Sequence, residues 1–174
     1  SSGYFSGLLD EARLLNRALS VSEVQSLYVG SQPALALGFE KEPEVRNSGT
    51  VIDQSGWQQR AQLSAGANDT ANKLVAGRVG AEAIQLDGVN DAIVINDLNG
   101  FAPETAQSVS VSAWVNPADF VGYSPIVAQN NSATNAGYWL NLSSNGTLRF
   151  VVGRTGSYKD LSSSTAIPLN QWTH

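Results

Sequence analysis

"SVSVSAWV", residues 108–115, places Val109, Val111, Ala113 and Val115 on one side of an extended chain and Ser108, Ser110, Ser112 and Trp114 on the other. That period of two is what a β-strand with one buried face requires. Working outward, "LALGFE" (35–40) alternates likewise, with Leu35, Leu37 and Phe39 against Ala36, Gly38 and Glu40. Further strands are expected in "AIQLDG" (83–88), "DAIVIND" (91–97), "SPIVAQN" (124–130), "GYWLNLS" (137–143) and "TLRFVVG" (147–153), separated by turn signals such as "DGVND", "SSNGT" and "RTGS". Asn145-Gly146 predicts a tight type I′ hairpin turn, because both residues tolerate positive φ. Many short strands joined by Gly, Asn, Asp and Pro turns indicate an all-β fold, an antiparallel two-sheet sandwich or jelly roll.

One short helix is expected in "SVSEVQSLYVG" (20–30), after an opening strand: Ser20 caps it and Glu23 closes a capping box. Val24, Leu27 and Tyr28 share a face, and Gly30 stops it. Its brevity leaves packing, rather than propensity, to hold it.

At 174 residues the chain has room for one domain, and a chain of this length buries about 70% of its unfolded surface. Its net charge of -5 and lack of clustered Lys and Arg argue against a nucleic-acid partner. No apolar run is long enough to insert in a membrane, and the start lacks the pattern of a signal peptide. With no cysteine, and His174 as the one histidine, thiolate sites, a histidine-ligated zinc and a Ser/His/Asp triad are disfavoured. Low charge (14%), 16 glycines and abundant Ser, Thr and Asn suit a secreted or cell-surface protein of bacterial type. The sequons at Asn68, Asn130, Asn141 and Asn145 carry no weight in so Asn/Ser-rich a chain.

"LLDEARLLNRALSVSEVQSLY" (8–28) resembles the closing signature of laminin G-like domains of the concanavalin A-like lectin/glucanase superfamily. "LALGFE", "VIDQSG", "AIQLDGVNDAIVI", "SVSAWVNP" and "NQWTH" resemble, in that order, the opening two thirds of such a domain. The resemblance implies a concanavalin A-like jelly roll in which residues 1–30 supply the closing strand and helix of a unit and residues 31–174 the first two thirds of one. The two segments are expected to pack in one sandwich, as the tail and head of tandem repeats or as a permuted or partial domain. Strands that normally follow Trp172–His174 would then come from another segment or chain, since an incomplete sandwich exposes apolar faces and unpaired edges.

Three kinds of site are candidates. Acidic residues at strand ends or in turns, Asp10, Glu11, Glu40, Asp53, Asp87 and Asp91, are of the type that ligates calcium. The resemblance implies a structural calcium near the first and last strands and carries ligands onto Glu40, Asp53 and Asp10 or Glu11. The plainer alternative is that Asp53 and Asp87 make Asx-type turns while Glu40 and Glu11 face solvent.

A ligand face is the second candidate. If Leu140 and Leu142 point to the core, Trp139 and Asn141 point away, as do Trp114 and Arg149 on their own strands. Such residues suit a carbohydrate, rings stacking on the sugar and polar groups bonding its hydroxyls. Tyr123, Gln129, Asn130, Arg154 and Tyr158 would form the rim, while burial beneath a loop is the competing reading for Trp114.

The third is a glycoside hydrolase pair of carboxylates, for which "EKEPE" (40–44) has the right period. Pro43 turns that segment into a loop, and a solvated charged loop is the better account. A non-catalytic binding or adhesion module, recognising glycan or an extracellular protein, is the reading that results. A spacer repeat without its own ligand and a hydrolase fragment are the alternatives.

Overall fold

The computed structural model describes residues 4–15, 17–20, 24, 35–39, 49–55, 59–64, 73–95, 108–131, 133–134 and 136–174. Among these it has twelve strands: β1 Ser6–Leu15, β2 Leu35–Leu37, β3 Thr50–Ile52, β4 Arg60–Ser64, β5 Leu74–Ala76, β6 Glu82–Asp87, β7 Ala92–Ile95, β8 Ser110–Pro117, β9 Ser124–Asn131, β10 Ala136–Leu142, β11 Thr147–Arg154 and β12 Ser157–Ala166. All pairings between them are antiparallel. The fold is all-β, as the alternation predicts. The helix expected over residues 20–30 lies outside the described residues except for Ser20 and Val24, where the Val24 N–H donates to the Ser20 carbonyl at 2.9 Å.

β1 is the spine of the first sheet. One of its edges pairs with β8; the other pairs with β6 through Ser6–Leu9 and with β2 through Ala12–Leu14, and β5 extends the sheet beyond β6. Between Asp10 and Arg13 the register against β8 slips by one residue, and Glu11 takes up a φ of 47°. This bulge resets the phase of the strand. Leu9 is followed into the core by Ala12 and Leu14, where strict alternation would have aimed Glu11 and Arg13 inward.

β12-β11-β10-β9 form a second sheet and β3-β4-β7 a third. Leu9 and Leu14 of β1, Leu37 of β2, Val51 of β3, Leu63 of β4, Ile84 of β6, and Tyr138 and Leu142 of β10 meet in one core, so the three sheets close as a sandwich. The inward row of β8, Val111, Ala113 and Val115, faces Leu140, Leu148 and Phe150 across an apolar cleft of about 440 Å³. The second edge of β8 carries an antiparallel bridge between Val115 and Thr173, and the Pro117 carbonyl accepts there from the Asn170 N–H at 2.8 Å.

The β10–β11 hairpin is built differently from the expected type I′ turn. Asn145 keeps a negative φ, Gly146 alone is left-handed at 79°, and the Gly146 N–H donates to the Ser143 carbonyl at 2.8 Å. The reason is the Asn145 side chain, whose Oδ1 accepts from the Thr147 N–H at 3.1 Å and from the Thr147 hydroxyl at 2.7 Å. A four-residue loop around an ordinary turn gives the side chain that reach.

Gly7 sits where β1 crosses β8 at a φ of 145°, and a Cβ there would lie 2.4 Å from the Asn116 carbonyl oxygen and 2.8 Å from the Pro117 Cα. Both obstacles are backbone and cannot rotate away. Gly7→Ala is therefore expected to destabilise the fold by about 1–3 kcal/mol, the usual cost of overpacking. Urea unfolding of the variant against the parent chain measures this; an unchanged midpoint would contradict the tight crossing.

Candidate functional site

The second sheet has two faces of different chemistry because β10 alternates. Tyr138 and Leu142 enter the core, while Trp139 and Asn141 face outward. Register then assembles the outward surface in rows. Pro125 of β9, Asn141 of β10 and Arg149 of β11 lie side by side, and the next row is Ala128, Trp139, Val151 and Asp160. Gly137 and Gly153 occupy the third row between Asn130 and Tyr158, leaving the sheet bare at that point. Pro125, Ala128, Asn130, Trp139, Asn141 and Arg149 of these rows, with Tyr123 from the loop before β9, line a groove of about 440 Å³. A volume of that size is within the range of about 300–1,000 Å³ found for small-molecule sites.

Two polar groups in the groove are set in advance. Arg149 donates through Nε to Asp160 Oδ2 at 2.9 Å, and its guanidinium lies 5.4 Å from the Tyr123 ring centre and 5.9 Å from that of Tyr158. The hydrogen bond to Asp160 raises the Arg149 pKa further, so the charge is permanent and its position fixed. Asn141 is 5% exposed. Its carboxamide lines the groove, and among the described residues no hydrogen bond engages it. Below them Val151 is completely buried on this outer face, with Trp139 and Asp160 as its cross-strand neighbours.

The expected ligand-face residues thus divide. Tyr123, Asn130, Trp139, Asn141 and Arg149 line the groove, and Tyr158 flanks it through Arg149. Trp114 does not join them, because β8 belongs to the other sheet. There it is half-buried on the outer surface, with the Arg78 guanidinium 4.9 Å above its ring and His174 tilted against it at 5.2 Å. His174 Nε2 lies 2.7 Å from the Ser112 hydroxyl, and burial together with the Arg13 charge holds its pKa below the ordinary value. Gln129 lines an inner cavity instead, next to Tyr138, whose hydroxyl is pushed up to about 12 by burial. Arg154 is exposed at the end of β11. Pro125, Ala128 and Asp160 were not legible as site residues: two are small apolar residues, and the third lies on a Ser-rich strand without alternation.

The acidic candidates are engaged one by one in the backbone. Asp53 accepts from the Ala36 and Ser55 amides through Oδ1 at 2.9 Å each, and from the Ser55 hydroxyl and the Gln59 amide through Oδ2 at 2.6 and 2.8 Å. Asp87 accepts from the Val89, Asn90 and Asp91 amides; these bonds, that of Val89 foremost, and nearby Lys73 hold its pKa below the usual range. Asp91 takes the Asp87 amide at 2.8 Å and pairs with Lys73. Glu11 pairs with Arg13 at 2.8 Å. Glu40, and with it "EKEPE", lies outside the described residues. Among the described residues no three acidic or imidazole side chains converge. Both oxygens of Asp53 and Oδ1 of Asp87 serve as acceptors for neighbouring turn amides and hydroxyls.

Asp10, like Asp91, keeps one buried oxygen without a hydrogen-bond partner among the described residues. It is fully buried on the outer face of β1, with Oδ2 accepting from the Arg78 and Val79 amides at 2.9 and 3.0 Å while Oδ1 has no partner. Burial raises its pKa above 3.8, against the opposing pull of the Val79 and Arg78 amides. A carboxyl raised in the folded state binds its proton more tightly there than in the unfolded chain. Its contribution is therefore fully present below 3.8 and is lost as pH rises through the folded-state value. Asp10→Asn is expected to flatten this loss of stability toward neutral pH, whereas Asp10→Ala, which strands two amides, costs about 1–3 kcal/mol. Urea unfolding across the acid-to-neutral range reads both effects; identical pH profiles for Asp10→Asn and the parent would contradict the assignment.

A family model of the concanavalin A-like lectin/glucanases superfamily, of laminin G type, matches residues 87–174, which include every residue that lines the outer groove. No curated protein and no solved structure matches the chain. The antiparallel sandwich agrees with the matched family, and the chain belongs to the laminin G-like domains of the concanavalin A-like lectin/glucanases superfamily.

Proposed function

We propose that this chain is a non-catalytic glycan-binding module of a secreted or cell-surface protein, with the outer groove of β9–β12 as its site. The observation that carries the reading is the pairing, in one groove, of a half-exposed Trp139 ring with an Asn141 carboxamide that no hydrogen bond engages among the described residues. An aromatic face stacks on the apolar side of a pyranose, and the carboxamide and the two terminal nitrogens of Arg149 can bond its hydroxyls. The site is also largely preformed, because Asp160 and the flanking tyrosines hold Arg149 before any ligand arrives. Membership of the superfamily supports binding as the class of activity. Among the described residues no helix is long and apolar enough to cross a membrane.

A glycan array probed with the purified chain tests this reading. Binding is expected, and Trp139→Ala should weaken it by about tenfold, the loss expected for one stacking ring. An array without a hit would remove the reading in favour of a spacer repeat, and full binding by Trp139→Ala would move the site elsewhere.

A further inference from the structure

We propose that the groove selects a neutral glycan bearing N-acetyl groups, with the acetamido group seated on Asn141 beside Pro125 and Ala128. The inference rests on the reading of the groove as a glycan site and narrows it to a class of sugar.

Charge is the first argument. Arg149 is the one cationic side chain among the described residues that line the groove, and Asp160 already neutralises it at 2.9 Å. A carboxylate or sulfate on the ligand would have to compete with Asp160 for the guanidinium, in a chain whose net charge is -5. A neutral ligand can accept from the remaining guanidinium nitrogens without breaking that pair.

The second argument is the chemistry of Asn141. The residue is 5% exposed, and its carboxamide, which offers both donors and an acceptor, is engaged by no hydrogen bond among the described residues. A ligand covering it must supply both kinds of partner at once, or leave a desolvated amide unsatisfied. An acetamido group does so with its carbonyl and its N–H. Its methyl also needs an apolar seat. The cross-strand neighbour of Asn141 on β9 is Pro125, and that of Trp139 is Ala128; both line the groove. A hydroxyl in place of the acetamido group would leave that seat empty and could not bridge both ends of the carboxamide.

Titration calorimetry with chitohexaose and cellohexaose isolates the acetamido group, since the two oligomers share a backbone and differ at one substituent per sugar. Chitohexaose is expected to bind about tenfold or more tightly than cellohexaose. Ala128→Leu, at an exposed position where folding is not at stake, should erase the preference by filling the methyl seat. Asn141→Asp should weaken chitohexaose by about the same factor, with thermal melting as the check on folding. Equal or weaker binding of chitohexaose, or a preference that survives both variants, overturns the inference while other array hits leave the glycan reading standing. Binding of no glycan at all overturns both.

Discussion

The hydrogen bonding of β1 along both edges is the constraint on which the rest of the sandwich depends. Ten residues join β8 on one side to β6 and β2 on the other, and without them β8, β2 and the β5–β6 pair would have no connection in the first sheet. The bulge at Asp10–Arg13 makes this double role compatible with a core. It keeps Leu9, Ala12 and Leu14 inward across an Asp-Glu pair that would otherwise put a carboxylate among them. Asp10, already outward before the bulge, is roofed by the Arg78 and Val79 amides, and the same turn sends Arg78 across Trp114. A buried carboxylate with one unpartnered oxygen is costly, and the two amides offset part of that cost.

The groove draws on the same economy of alternation. β10 buries Tyr138 and Leu142 on one side and presents Trp139 and Asn141 on the other, so the packing of the core fixes the spacing of the outer face. Val151, completely buried between the rows of β10 and β12, gives that face a small apolar floor of its own. Rigid strands, rather than loops, therefore set most of the distances between ligand-facing groups, and Tyr123 is the main contribution from a loop.

Much of this was readable from the chain, for reasons that differ by element. The inward rows of β8 and β10 follow from period-two alternation, and so does the outward direction of Trp139 and Asn141. The bulge in β1 was not readable, because a one-residue register slip is decided by partners on β8 and leaves no mark in local composition. β12 was missed for the opposite reason: its ten residues are all exposed, so selection for a buried face never imposed a pattern on "SYKDLSSSTA". Asp160, which fixes Arg149, was hidden with it. β3 and β5, at three residues each, are too short to show a period. For Asp53 and Asp87 the plain reading as turn acceptors describes their surroundings, since neighbouring backbone amides donate to both oxygens of Asp53 and to Oδ1 of Asp87.

The central place of β1 also sets an order of events in time. Gly7 pairs with Pro117 and Leu15 with Ser110, so the longest pairings of the spine close loops of about a hundred residues. At elongation rates of about 5–20 residues per second, β1 leaves the ribosome some 5–20 seconds before β8 is made. Throughout that interval β2 and then β6 can take one edge of β1, while the edge that receives β8 stays open to any other strand nearby. The local hairpins of β9–β12, made last, close loops of only a few residues, so the groove-bearing sheet needs no distant partner strand to form.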